Sequence, residues 1–506
     1  MKMIDRLHLL REYVELLKNY GLVAETNLTE ELLDKKVNYV SYNSQDVRYD
    51  TLFICKGAHF TVDYLLSALE EGAFAYISEV KYDKEAPDAP YIIVNNMRKT
   101  IALAADLFYN QVWKRITITG ITGTKGKSTT TYFMRFILDE YLRAQKKPLS
   151  AVISGIDNYD GVINEESHLT TPEALDLHRH FDNAVKSGIE FLTMEVSSQA
   201  LKYDRTMGVT FDVGCFLNIG IDHISGVEHP DFEDYLKSKM ILFSQCKTAC
   251  INLESDYAKM ALEAADGKAQ RVLTFGLRPE ADIYGYDVEP GRKGISFRVK
   301  CDSFDEEFRI GMTGLFNVQN ALAAIAVSYA LNIPLEYVKA GLKKARVSGR
   351  MEIYTSRSGN LDVIVDYAHN QMSFQSLFES TRKEYPGKKI SIVFGCPGKK
   401  AFGRRKELGE LAGKYADKVF ITEEDAGEEP VMKISEEIAG YVKPFDCQCQ
   451  IIVDREEAIR QAIETADDNT VVLITGKGRE TRQKRGTQYI DTPSDVEYVE
   501  KFLAEK

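Results

Sequence analysis

The sequence predicts an α/β protein of three domains, with a phosphate-binding loop at the head of the central one. Three observations predict it. The chain has 506 residues, several times the usual domain length of about 100–200. Apolar runs of strand length alternate with amphipathic helical stretches in three successive regions. At the start of the second region, a β-branched run feeds directly into a glycine-rich turn and then a helix. The boundaries fall near residues 112 and 348, giving domains 1–112, 113–347 and 348–506.

In the first region TLFICKG, AFAYIS and YIIVN read as strands, with TVDYLLSALEEG as a helix between two of them. The third region alternates with little interruption. Its strands are ISIVFG, KVFIT, IIVD and VVLITGKG, and its helices KELGELAGKYA, MKISEEIAGYV and REEAIRQAIETA. The closing SDVEYVEKFL starts with a capping box, Ser494 with Glu497 three positions on.

Composition excludes several function classes. Net charge is 64 − 76 = −12 and no long basic run appears, which argues against a nucleic-acid binder. No apolar run approaches the roughly 20 residues that span a bilayer. The opening MKMIDRLHLLREYVELL spaces its apolar residues helically among charges, so it predicts no secretory leader. Eight scattered cysteines without a CxxC pair predict reduced thiols and a cytoplasmic protein.

The strongest chemical signal is ITITGITGTKGKSTTT, residues 116–131. Gly120, Gly123 and Gly126 shape a turn, and Lys127 and Ser128 open a helix. Backbone N–H groups at such a helix start cradle phosphate oxygens, the lysine meets the β/γ-phosphates, and the hydroxyl suits Mg²⁺. The strict GxxxxGK[ST] spacing fails, because its first glycine falls on Ile121. Glu195 ends the apolar run FLTMEV, and a carboxylate at a strand tip beside a phosphate loop suits a divalent metal. FLNIGIDHISGVEHP adds Asn218, Asp222, His223 and His229, each of which read alone is as well explained by structure. In FEDYLKSKMILF, Phe232, Tyr235, Leu236, Met240 and Phe243 form one apolar helical stripe. Lys239 lies within it. Either it snorkels at the edge of the stripe, or it is carbamoylated by CO₂ and becomes a metal-binding anion.

These segments occur in order with TTPE (170–173), GLFNVQNALAA (314–324), SGRMEI (348–353), VDYAHN (365–370) and GKGRE (476–480). The set resembles the Mur ligases of peptidoglycan synthesis, and within them the branch that adds the third stem-peptide residue to UDP-N-acetylmuramoyl-L-alanyl-D-glutamate. The resemblance implies an N-terminal domain for the UDP-sugar, a central ATPase domain and a Rossmann-like C-terminal domain for the incoming amino acid. It implies ATP and Mg²⁺ as cofactors, no nucleic acid, no membrane insertion, and a monomer.

By position, it implies that Gly123, Thr124, Gly126, Lys127, Ser128 and Thr129 hold the phosphates, and that Asn317 and Asn320 lie on the adenine side. Arg350 and Asp366 would face the nucleotide across the domain boundary. Ser128, Glu195, His223 and carbamoylated Lys239 form the implied metal set, with Lys127, Glu195, His223 and Lys239 as the catalytic group. Thr170, Thr171, Ser198 and Arg205 would contact the muramoyl dipeptide, and Ser44 the UDP. In the C-terminal domain, Arg405 would pair with the α-carboxylate of the amino acid, and Gly476 and Glu480 with its amino end.

Two departures matter. The family's D-S-R reads Asn43-Ser44-Gln45. The D-N-P-R loop of diaminopimelate-adding enzymes reads EEDAGEEP, residues 423–430, with no arginine. Glu423, Glu424 and Asp425 make it acidic, which suits a side chain ending in ammonium. L-lysine is the expected substrate, with ornithine or another diamine open. A muropeptide-recycling ligase, another member of the superfamily and a non-catalytic nucleotide-binding homologue are the competing expectations.

Overall fold

A computed structural model describes residues 6–57, 60–220, 228–291 and 294–505. It contains three domains, each built around its own sheet, with a two-stranded ribbon, Arg482–Arg485 and Gln488–Asp491, near the C-terminus.

The N-terminal sheet has five strands, in the order Val23–Thr26, Tyr91–Val94, Ala73–Ser78, Thr51–Ile54, Tyr39–Ser41. Only the first pair is antiparallel. Helices Leu10–Asn19 and Met97–Phe108 pack on one face through Leu10, Leu17 and Ile101. Helix Val62–Glu70 covers the other face through Leu65 and Ala68.

The central sheet has eleven strands. Thr117–Thr122 lies in the middle, paired in parallel with Phe191–Glu195 on one side and Phe211–Phe216 on the other. Both faces are covered, which is why these strands read as near-continuous apolar runs. Helices Lys127–Ala144, Asn317–Ala330 and Leu335–Lys344 pack on one face, and Ala174–Lys186 and Phe232–Met240 on the other. Antiparallel strands extend the sheet at both edges. One of these extensions, Asn164–Glu166, carries three exposed polar side chains and gives no apolar signal in the sequence.

The C-terminal sheet runs Glu352–Thr355, Asp362–Asp366, Thr470–Thr475, Lys389–Phe394, Lys418–Ile421, Gln448–Ile451. Every pair except the first is parallel. The strand expected at Ile451–Asp454 lies earlier, at Gln448–Ile451. This is an edge strand whose Gln448, Cys449 and Gln450 are exposed, and Asp454 instead caps the next helix by accepting from the Glu457 N–H. The capping box at Ser494 is present: its backbone N–H donates to Glu497 Oε2, and the Ser494 hydroxyl accepts from the Glu497 N–H.

Helices Gln371–Glu384, Gly403–Tyr415 and Val431–Val442 lie on one face of this sheet, Arg455–Glu464 and Asp495–Glu505 on the other. Strand Thr470–Thr475 therefore hands its chain to the opposite face from both its neighbours. This makes a topological switch point at its C-terminal end, where open α/β sheets bind ligands. The central and C-terminal domains share one continuous apolar cluster. Hydrogen bonds add to it, with the Gly314 N–H donating to Glu384 and the Leu315 N–H to Ser380. All eight cysteines carry free thiols.

Candidate active site

Strand Thr117–Thr122 ends at the turn that leads into helix Lys127–Ala144, so Gly123, Thr124, Gly126, Lys127, Ser128 and Thr129 follow one another around the helix start. Gly126 adopts φ +83°, and a Cβ there would lie 2.2 Å from Asn320 Oδ1. No other residue fits that position, because both the left-handed backbone and the close approach of helix Asn317–Ala330 exclude a side chain. Asn320 is itself oriented by donating to Asn317 Oδ1 (2.9 Å), and Asn317 donates to the Thr313 carbonyl (2.7 Å). The two asparagines expected at the adenine side thus form one chain beside the loop.

Two ammonium groups converge on this loop. Lys127 Nζ donates to the Gly123 carbonyl at 2.9 Å, and Lys239 Nζ donates to the same oxygen at 3.1 Å. Lys239 is 1% exposed and does not snorkel outward. Its Nζ stands 4.7 Å from the centre of the Tyr235 ring, and Tyr235 in turn hydrogen-bonds Thr124 Oγ1 at 2.9 Å. Two like charges on one buried carbonyl are electrostatically costly. Two ammonium groups converging at the head of a helix suit a bound phosphate, and Glu195 at the neighbouring strand tip suits a divalent cation, so the residues present fit the implied nucleotide and metal.

Glu195 ends its strand opposite Ile121 and is 2% exposed. Its Oε1 accepts from the Gly155 N–H at 2.8 Å. Thr171 donates to the Glu195 carbonyl and accepts from the Ser197 N–H, while its own carbonyl accepts from Arg205. Thr170 lies beside Gly155 on the same side. Thr170, Thr171, Glu195, Ser198 and Arg205 are therefore brought together at the strand tips. Asp222 and His223 lie outside the described residues.

Arg205 also pairs with Glu173 (2.7 Å), which pairs with Lys56 of the N-terminal domain (2.5 Å). These residues border a cleft of about 790 Å³ between the two domains, lined also by Phe60, Tyr82, Asn96 and Arg98. The sequence reading missed these four. Asn96 was the findable one, since it caps the helix after strand YIIVN by accepting from the Lys99 N–H. Ser44 sits in a separate turn, and it does not line this cleft. The departure at Asn43 is locally absorbed: its side-chain carbonyl accepts from the Gln45 N–H, the turn that an aspartate would also build.

Across the domain boundary, Arg350 stacks 4.4 Å from the centre of the Tyr367 ring. Asp366 is buried and accepts from the Met351 and Ala368 N–H groups at 2.9 and 2.8 Å. Burial pushes its carboxyl up, against the pull of Arg350 and those two donors. Its position thereby ties Met351, at φ +47°, to the end of strand Asp362–Asp366.

At the C-terminal switch point the charges sort themselves. Arg405 is 1% exposed and gives its fork to Glu429 (2.7 Å) and Glu437 (2.7 Å). Glu423 pairs with Arg485, and Asp425 with Lys477. Glu480 accepts from Tyr367 and pairs with Lys477. Glu424 is left. It is buried, and among the described residues none forms a hydrogen bond or ion pair with it. Burial pushes its carboxyl up to about 7, despite Arg455, Arg404 and Lys477 nearby. A Cβ on Gly476, at φ +106°, would come 2.2 Å from Glu424 Oε2. Only glycine at 476 leaves room for this carboxylate.

Residues 121–328 match the Mur ligase middle domain, and residues 349–478 match the glutamate ligase domain of the Mur ligases. A UDP-N-acetylmuramyl-tripeptide synthetase of Lactobacillus delbrueckii subsp. bulgaricus is 36% identical, over 94% of this chain and 95% of its own. A UDP-N-acetylmuramoyl-L-alanyl-D-glutamate--L-lysine ligase of Enterococcus faecalis is 35% identical, over 95% and 94%. Among solved structures, a diaminopimelate ligase acting on UDP-N-acetylmuramoyl-L-alanyl-D-glutamate superposes with a TM-score of 0.67 at 24% identity, over 99% of both chains. The chain belongs to the Mur ligase family of amide-forming enzymes.

Proposed function

We propose that this enzyme joins UDP-N-acetylmuramoyl-L-alanyl-D-glutamate to L-lysine, with hydrolysis of ATP to ADP. The observation that carries the reading is the placement of Lys127, Lys239 and Glu195 around one phosphate loop. The similarity to an L-lysine ligase along almost the whole chain supports the same substrate pair.

In this reading the D-glutamate carboxylate attacks the γ-phosphate of ATP, giving an acyl phosphate and ADP, and the lysine amine then displaces phosphate. Lys127 leaves the Gly123 carbonyl for the phosphates and neutralises charge on the transferring oxygens. Ser128, Glu195, His223 and carbamoylated Lys239 are the residues that would hold Mg²⁺, which supplies further charge neutralisation when bound. The test of the carbamate is CO₂ dependence. Enzyme stripped of CO₂ should lose activity and regain it with bicarbonate, and activity indifferent to bicarbonate would sink the assignment.

The uridine nucleotide occupies the cleft between the N-terminal and central domains, whose cations are Lys56, Arg98 and Arg205. Thr170, Thr171 and Ser198 meet the dipeptide arm. We place the domain boundaries near residues 112 and 348. At the C-terminal switch point Glu424 takes the distal ammonium of lysine. The α-carboxylate falls to the Arg404–Arg405 pair at the same switch point, where the Arg404 charge also acts on Glu424.

Phosphate release with Mg-ATP and the UDP-muramoyl-dipeptide tests the whole reading, with L-lysine, L-ornithine or meso-diaminopimelate added in turn. Turnover with lysine is the expected result. Turnover with diaminopimelate alone would overturn the specificity, and silence with all three would overturn the reaction.

A further inference from the structure

Ser198 stands in a buried hydrogen-bond chain that the phosphate chemistry does not use. His229 Nε2 lies 3.0 Å from Ser198 Oγ, and His229 Nδ1 lies 2.6 Å from Asp234 Oδ2. Both Ser198 and His229 are buried, at 5% and 0% exposure. The chain is braced from both ends. Lys202, on the helix that Ser198 opens, donates to the same Asp234 oxygen at 2.6 Å and to the Glu228 carbonyl at 3.1 Å. The His229 ring packs edge-on against Tyr235, 5.1 Å between centroids, and Tyr235 is the residue that bonds the phosphate loop at Thr124.

The proton positions follow from donor and acceptor chemistry. Burial works against the Asp234 carboxylate, yet the Lys202 ammonium and the hydrogen bond from His229 hold its carboxyl below the usual range. An ionised carboxylate only accepts, so Nδ1 of His229 carries the proton. A neutral ring with its proton on Nδ1 presents a lone pair at Nε2, to which the Ser198 hydroxyl donates. What remains on Ser198 for anything else is its oxygen lone pairs.

We propose that His229 is a positioning residue, held in one tautomer by Asp234, that fixes Ser198 as a hydrogen-bond acceptor for an amide N–H of the substrate's peptide arm. A serine free to rotate would instead donate to the carboxylates of the same arm. This arrangement selects an amide-linked peptide at that corner and leaves the carboxylate to the phosphate loop. The inference rests on the placement of the dipeptide beside Ser198 proposed above.

Steady-state kinetics on the full-length enzyme test it, with the UDP-muramoyl-dipeptide, ATP and L-lysine varied in turn. His229→Phe keeps the ring against Tyr235 and removes both nitrogens. It should raise KM for the UDP-muramoyl-dipeptide about tenfold, the usual size for one lost hydrogen bond, with kcat and the other two KM values nearly unchanged. Ser198→Ala should give the same rise, and the double variant no more than either single one, since both act through one bond. An unchanged KM in His229→Phe, additive effects in the double variant, or a loss confined to kcat would overturn the proposal. Nitrogen-15 shifts of the His229 ring give a second readout in the wild-type enzyme. A proton on Nδ1 alone is expected, and a proton on Nε2 would overturn the assignment even if the variants were unstable. Failure of the wild-type enzyme to use the UDP-muramoyl-dipeptide at all would instead sink the parent reading, a separable outcome.

Discussion

Lys127→Met should lower kcat for phosphate release by about 10²–10³-fold, the size expected when one preorganised charge is removed from a developing oxyanion. The ammonium lies 2.9 Å from the Gly123 carbonyl and 3.4 Å from the Thr124 carbonyl, so it is already at the mouth of the loop. Methionine keeps the length and the apolar stem, and it removes one of two cations crowded on Gly123. The control is Lys237→Met on the helix that carries Lys239: Lys237 is exposed and paired with Glu233 at 2.6 Å, a contact screened by solvent. Activity in that variant should match wild type. A Lys127→Met enzyme within tenfold of wild type would remove this lysine from the proposed chemistry.

The phosphate loop was legible because its chemistry is contiguous. Strand, glycines, lysine and hydroxyl follow one another within 116–131, and the fold only has to bend them. Glu195 was legible for a related reason, since a strand tip places its last side chain predictably beside the neighbouring strand. Lys239 was half legible: the apolar stripe showed that it lies on the buried face, while its contact with Gly123 spans 116 positions of sequence.

The C-terminal crevice was harder to read, because its meaning lies in pairings between distant residues. The sequence showed an acidic loop, yet Glu423 is neutralised by Arg485, 62 positions away, and Asp425 by Lys477, 52 positions away. Arg405 was expected to meet the α-carboxylate of the amino acid. Its two glutamates stand 24 and 32 positions downstream, on the far side of a strand. Likewise His229, one histidine among several in the sequence, takes its place from Ser198, 31 residues earlier. A charge count describes a loop's composition. Which charge remains available to a ligand is decided by tertiary pairing.

That remaining charge makes Glu424→Gln the most informative substitution in the crevice, because stability and function should move in opposite directions. In the unfolded chain this carboxyl has the ordinary value of 4.5, and in the folded one burial raises it to about 7. A raised carboxyl favours folding in its protonated form. The fold is therefore least penalised below pH 4.5 and loses roughly 3 kcal/mol as pH rises through about 7. Glutamine removes the penalty, so the ligand-free variant should unfold at higher temperature than wild type at pH 8, with the gap closing towards pH 4.5. Catalysis should suffer instead. The bond between a carboxylate and an ammonium is worth about 1.5–3 kcal/mol, so KM for L-lysine should rise about 10–100-fold with KM for ATP unchanged. In the wild-type enzyme the same KM should fall as pH rises through 7, as the carboxylate becomes charged while the lysine ammonium remains so. Calorimetry and lysine titrations across that range read both effects. A variant destabilised at pH 8 would mean that Glu424 has a partner which its burial conceals, and an unchanged lysine KM would move recognition of the side chain elsewhere in the crevice.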